Sequence, residues 1–371
     1  MYIFRWTFML LTLCGCLPPA SWTSPFKKFL YNIYTIFLVF LVHSLVLTQI
    51  LDIVFNCENQ DDFSDNFYLT VGVFVSCCKM CNLLTSHKNY AILIETLQEE
   101  PLTPVNNDEV EIQTRFEKWA QRNAIVYIVV IECCLGCMVA TSVSSDFKTR
   151  QLTYRAWIPY NYTSLPAFSI TYAHQMLSMT ICTFLNITCD NLFSSFMIHT
   201  YCVFEILEYR LKNIVKHGNE SAKQCARLHN HIYKFATMVN EEFKTIVFFQ
   251  FLVSMAMCCF DLYRLDQNGT ESKFMEMMVY AVCTLMQILY YCWYGNEVKL
   301  KSLEIPDVIL ECNWPALDND AKKILLMMMK RATVPIEFSS VHVISMNLES
   351  FKTIVKTSYS VFNVLRQRRE N

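Results

Sequence analysis

Residues able to do chemistry are few in this chain, and they are scattered. Cys78-x-x-Cys81 and Cys134-x-x-Cys137 have the spacing of paired zinc ligands, but neither has a second pair in a polar loop. Most of the 18 cysteines lie inside apolar runs, as Cys77, Cys133, Cys258 and Cys259 do. There a cysteine behaves as a small hydrophobe. His229 and His231 read as solvated or packed groups rather than as ligands. No His-Glu-x-x-His, no Gly-x-Ser-x-Gly and no nucleotide loop occurs, and six glycines are too few for a glycine-rich phosphate loop. The expectation is no enzyme, no catalytic residue, no metal and no cofactor. What remains are ionisable groups in or near apolar runs: Asp52, Lys79 and Asp190. An acid inside a membrane span is a functional candidate. For Asp190 a boundary position is the equal alternative, and Asp52 is close enough to a helix end to be interfacial.

The elements that must position these residues are long and apolar. The chain is 53% hydrophobic and only 17% charged, against roughly 25% charged in an average soluble domain. Six runs, 31–55, 67–86, 124–144, 168–204, 245–262 and 274–294, have the length of about 20 residues that a bilayer crossing requires. A seventh, weaker run covers 348–367. The expected fold class is all-α integral membrane with seven transmembrane helices. The run 3–17 is too short to cross and ends at Pro18-Pro19. It reads as an interfacial or re-entrant helix, with a signal peptide as the alternative.

Charge orients the expected bundle. Counted loop by loop, one side carries 20 Lys and Arg against 8 on the other. The positive-inside rule puts the richer side, and the N-terminus with it, in the cytoplasm and the C-terminus outside. That is opposite to a G-protein-coupled receptor. The sequons at Asn161 and Asn268 fall in outside loops and are the expected glycosylation sites. Those at Asn219, inside, and Asn186, within a span, should stay unused.

Two stretches, Pro166 to Gly218 and Gly218 to Gly269, have no internal Pro or Gly. Helices of roughly 45 residues would be about 68 Å long, more than twice the hydrocarbon thickness of about 30 Å. Their cytoplasmic ends mix Glu205, Glu208, Arg210 and Lys212 with Leu, Ile, Tyr and Phe. Such amphipathic rods need something to pack on. Segment 318–333, with Ile324 to Met329 at its centre, is the natural partner. A cytoplasmic anchor bundle is therefore expected. The organisation reads as 1–30, a cytoplasmic or re-entrant segment; 31–317, helices 1–6 with long extensions; and 318–371, a cytoplasmic helix and the last span.

The outer halves of the spans hold Phe67, Tyr68, Val71, Phe74, Met138, Tyr172, Met176, Met255, Phe260, Met278 and Tyr280, with Thr141 and His174 as polar partners. A pocket of this kind would bind small apolar molecules by burial and shape. Ordinary helix packing is the alternative for each residue. The last span is different. On a helical wheel Thr353, Lys356, Thr357, Ser360, Val364 and Gln367 share one face, polar except for Val364. That face could pack on other helices. In an oligomer it could line a water-filled axis, with Val364 as an apolar constriction.

Several motifs resemble the insect odorant receptor family, in order and place. They are the C-terminal run Thr357-Ser358-Tyr359-Ser360-Val361-Phe362-Asn363-Val364-Leu365-Arg366, Trp293-Tyr294-Gly295-Asn296-Glu297-Val298, Tyr154-Arg155-Ala156-Trp157-Ile158-Pro159-Tyr160, and Pro18-Pro19 followed by Leu30-Tyr31-Asn32. The resemblance covers essentially the whole chain and is to a tuning subunit rather than the co-receptor. It implies a heterotetramer with an odorant co-receptor subunit in the plasma membrane of sensory neurons. It also implies a non-selective cation pore lined by the last helix and opened by small volatile ligands. The gate carries over onto Val361, Val364 or Leu365. No nucleic-acid partner is implied. The alternatives are a gustatory-type channel and, against the charge count, a G-protein-coupled receptor.

Overall fold

The protein is represented by a computed structural model that describes residues 4–19, 21–57, 60–267, 271–340 and 344–370. Asn268 lies outside the described residues, as do the side chains of Tyr68, Tyr280 and Leu365.

The chain folds into helices α1 (Arg5–Leu13), α2 (Pro25–Asn56), α3 (Gln60–Thr85), α4 (His87–Thr96), α5 (Asn107–Thr149), α6 (Leu165–Lys212), α7 (Ile214–Gln267), α8 (Glu271–Glu311), α9 (Asn319–Ala332) and α10 (Leu348–Glu370). A small hairpin, β1 (Ser339–Ser340) and β2 (Ile344–Ser345), leads into α10. The seven expected spans coincide with α2, α3, α5, α6, α7, α8 and α10. Among the described residues α2, α5, α6 and the 220–260 part of α7 are each long and apolar enough to cross a membrane. The 69–85 part of α3 and α4 form a further candidate span, bent by 65° at Ser86. Neither α8 nor the polar α10 is among them.

Helix α6 is the centre of the molecule. It packs on α1, α2, α3, α5, α7 and α8 and is buried along most of its length. Its 48 residues and the 54 of α7 make rods of roughly 70–80 Å, far longer than a bilayer core. The turn between them falls at Asn213, not at Gly218. There the Asn213 amide donates to the Tyr209 carbonyl at 3.0 Å and closes α6. Gly218 lies inside α7, where a lone glycine costs only about 1 kcal/mol in propensity.

At the far end of these rods α9 packs on α7 and α8. Asp318 caps it by accepting from the Ala321 N–H at 2.9 Å, which satisfies one orphan donor. Leu325 and Met328 are its buried contacts. The bundle is stapled by ion pairs. Lys301 of α8 reaches Glu205 at 2.6 Å and Glu208 at 2.5 Å on α6. Burial alone would push the Lys301 ammonium down; the two carboxylates outweigh it and hold it above the usual lysine range. Arg210 of α6 donates from Nε and Nη2 to the two oxygens of Glu109, at 2.9 and 2.7 Å. Glu109 also accepts from the Val105 N–H, while Asn106 caps α5 on the Glu109 N–H.

His229 of α7 is buried in the same bundle, and its Nε2 has no hydrogen-bond partner. Burial first, then the nearby Arg331 charge, lower its pKa from 6.5 to about 4. Between those values the unfolded chain binds a proton that the folded chain refuses. Stability is therefore whole above pH 6.5 and declines as pH falls towards 4. At pH 5.5 we expect a loss of about 1 kcal/mol relative to pH 7.5. Thermal melts of the purified protein should show it, and His229→Leu should flatten that part of the profile.

The Gly295 backbone of α8 carries the approach of the segment before α10. A Cβ there would collide with the Met346 carbonyl oxygen. Met346 is pinned in turn by its N–H on the Phe338 carbonyl, at 2.8 Å. Glycine to alanine ordinarily stabilises a helix by roughly 0.5–1 kcal/mol. Gly295→Ala is expected to do the reverse and cost about 1–3 kcal/mol, because backbone must move. A melting temperature equal to or above wild type would contradict that contact.

Candidate functional site

A cavity of about 180 Å³ lies between α3, α5, α6, α7 and α8. Its walls are mostly apolar: Leu69 and Val73 from α3, Ile131 and Met138 from α5, Met179 and Ile187 from α6, Val253 and Met257 from α7, Val279 from α8. An apolar cavity of roughly 150 Å³ is enough for a benzene ring. This one therefore fits a single ring or short chain with a small substituent.

Part of the cavity's lining is polar. Tyr127, Asn186, Gln250 and Gln287 are among its lining residues. Tyr127, Gln287 and, through Gln287, Gln250 lead to a fully buried ion pair, Lys79 Nζ to Asp190 Oδ1 at 2.8 Å. The same carboxylate accepts from the Tyr127 hydroxyl at 2.8 Å and from Gln287 Nε2 at 2.6 Å. The Tyr291 hydroxyl donates to it as well. Four helices, α3, α5, α6 and α8, thus meet on Asp190. A buried charge this well surrounded holds helices in one register, since any shift strands a donor or the charge itself.

The residues expected at the pocket are spread more widely. Met138 lines the cavity. Phe67 stacks on Phe63 and meets Phe260 edge-on, with centroids 5.0 and 5.7 Å apart. Tyr172 is bonded to Ser142 at 2.6 Å, and His174 to Ser44 at 2.8 Å. Thr141 is exposed and donates back to the Met138 carbonyl. Val71 and Met176 are half-buried, while Phe74 and Met278 are exposed. None of these eight, Phe67, Tyr172, His174, Thr141, Val71, Met176, Phe74 and Met278, is among the cavity-lining residues. Asp52 is buried at the end of α2, where Asn56 and Asn66 donate to it and Arg155 lies 3.7 Å away. The lining residues Gln250 and Gln287 had a signal in the sequence: each is an amide inside an apolar run.

Helix α10 is held to its own chain by a narrow seam. Among the described residues Leu348, Ser350, Phe351, Ile354, Ser358 and Phe362 are its buried or half-buried positions; from Phe351 on they are spaced three and four apart on one stripe. Ser358 Oγ donates to the Met255 carbonyl of α7 at 3.5 Å, and Cys259 Sγ donates to the Ser358 carbonyl at 3.7 Å. Among the described residues of that stretch the other faces are bare in the single chain. Thr353, Lys356, Thr357, Ser360, Val361, Val364 and Gln367 are all exposed, Val364 to 56%.

Fold and cavity together define a class: a multi-pass helical membrane protein with a largely apolar internal cavity. The family model of the 7tm odorant receptors matches residues 59–359, and the chain belongs to that family. It is a receptor, not an enzyme. Among similar proteins, Odorant receptor 94a of Drosophila melanogaster is 20% identical, over 84% of this chain and 82% of its own length. Odorant receptor 10 of Aedes albopictus is 27% identical, over 82% and 85%. The fold matches that of the insect olfactory receptor OR5 from Machilis hrabei in complex with eugenol. The TM-score is 0.88 and the identity 16%, over 98% of this chain and 97% of that one.

Proposed function

We propose that this chain is the odorant-binding subunit of a ligand-gated, non-selective cation channel that works in a heterotetramer with a co-receptor subunit. The observation that carries this reading is α10. It is too polar to face lipid and is left uncovered by its own chain, which suits a wall shared by several subunits. Thr353, Lys356, Thr357, Ser360 and Gln367 then line the axis, and Val361, Val364 or Leu365 forms the constriction. A small volatile ligand enters the cavity between α3, α5, α6, α7 and α8. The Machilis receptor's complex with eugenol supports a ligand of that kind.

In this reading the N-terminus and the α9 bundle are cytoplasmic, and the C-terminus is outside. The charge count supports that orientation. Residues 1–30 then enter from the cytoplasm, 31–317 carry the first six spans and their extensions, and 318–371 carry the anchor helix and the pore helix. Asn161, exposed in the loop before α6, then faces the outside and is open to glycosylation, and the sequon at Asn268 belongs to an outside loop by the charge count. The site of action is the plasma membrane of sensory neurons.

The test is expression with and without a co-receptor, with currents recorded against a panel of volatiles. Odorant-evoked cation current only in the co-expressing cells is expected. Surface-delivered complex that passes no current to any of the panel would count against the channel. A glycan on Asn219 would overturn the orientation.

A further inference from the structure

The cavity has one polar group whose direction is fixed and whose valence is open. Gln250 of α7 is a lining residue, 4% exposed, and its Oε1 has no hydrogen-bond partner. A terminal amide can ordinarily flip and present either end. Here the Asp190 carboxylate forbids it. In its ion pair with Lys79 the carboxylate accepts, so Gln287 must turn Nε2 towards it, at 2.6 Å. That leaves Gln287 Oε1 facing α7. Gln250 must then answer with its own Nε2, which donates to Gln287 Oε1 at 2.8 Å and to Ser254 Oγ at 2.9 Å. The chain of donors runs one way, and it ends on an acceptor with nothing to accept. Leaving such an atom buried and unmade is costly, so a ligand that supplies the missing donor gains more than one that does not.

We propose that the cavity selects a small ring or short chain bearing a single hydrogen-bond donor, a hydroxyl above all, whose O–H donates to Gln250 Oε1. This deepens the reading of the cavity as the odorant pocket and rests on it. The apolar walls take the body of the molecule. Asp190, through Gln287, makes Gln250 an acceptor. An ether or ester of the same shape offers that atom only another acceptor and is disfavoured. Gln250 is thus a specificity-determining residue, and Gln287 a positioning residue acting through it.

The probes are 4-methylphenol and its methyl ether, 4-methylanisole. Two readouts are run side by side on receptor co-expressed with co-receptor: the concentration for half-maximal current, and ligand-induced thermal stabilisation of the purified complex. Wild type should favour the phenol by about ten-fold or more in either readout. Gln250→Met should bring the ratio of the two probes close to one, mainly by weakening the phenol. Gln287→Met should free the Gln250 amide to flip and so raise the response to the ether relative to the phenol. Equal or reversed preference in wild type overturns the proposal, and so does a preference that survives Gln250→Met. Stabilisation by neither probe also overturns it. A phenol-selective stabilisation without current sustains this inference and sinks the channel reading instead.

Discussion

Replacing Lys79 with methionine is expected to remove most of this receptor from the cell surface. Lys79 and Asp190 are both fully buried, and they face each other at 2.8 Å in the middle of the bundle. Taking away the ammonium leaves a carboxylate in a low-dielectric interior with only hydroxyl and amide donors. Breaking such a pair from one side costs about 3–5 kcal/mol, a large share of a typical folding free energy of about 5–15 kcal/mol. Surface biotinylation and the elution profile of detergent-extracted protein are the measurements. The double variant Lys79→Met with Asp190→Leu should recover part of the loss, since removing both charges avoids the uncompensated one. Recovery should stay incomplete, because Tyr127, Tyr291 and Gln287 lose their acceptor. If Lys79→Met reached the surface at the wild-type level, the pair would not be the centre of the bundle.

The second large effect is expected at Val364. Val364→Ser should produce current without ligand, raising the leak roughly ten-fold, the equivalent of about 1.4 kcal/mol on the closed state. A constriction that works by expelling water fails when its side chain can hold water. Val364→Leu keeps the surface apolar and should leave the leak low. Whole-cell current before odorant is applied decides it. An unchanged leak in Val364→Ser would mean that this face of α10 packs against protein.

The long elements were legible because their causes are local. Bilayer length sets the apolar runs, and the lack of Pro and Gly from 167 to 217 announces a rod. The bare stripe of α10 is plain on a wheel, since 100° per residue is enough to find it. The segment of α9 is readable from its apolar centre, Ile324 to Met329; the Asp318 cap on its first turn is seen in the structure. Pairing is another matter. Lys79 and Asp190 stand 111 positions apart, and each alone reads equally well as a boundary residue. Only the packing of α3 on α6 joins them. The pocket had the same difficulty. Residue type and depth singled out Phe67, Tyr172 and Met138 alike, but the face each turns to its neighbours depends on helix rotation, and of the three Met138 faces the cavity. Gln250 and Gln287 carry little weight in the sequence, because a lone amide in an apolar run reads as a tolerated impurity. Their meaning appears only once the Asp190 carboxylate is seen to orient them.

The seam of α10 has a consequence for how cells handle this protein. Beyond its first turn one narrow stripe ties the helix to its chain, and the exposed part of its described surface bears hydroxyls, an amide and the Lys352 and Lys356 ammonium groups. A solitary subunit would have to present these to hydrocarbon, at about 2.5–3.5 kcal/mol for a central lysine alone. Companions that share a wet axis remove that penalty. Incomplete assemblies would therefore carry their own mark of incompleteness, a polar flank that the secretory pathway's membrane quality control can recognise and hold back. The helix proposed to conduct ions would also serve as an export licence, valid only once its neighbours have arrived.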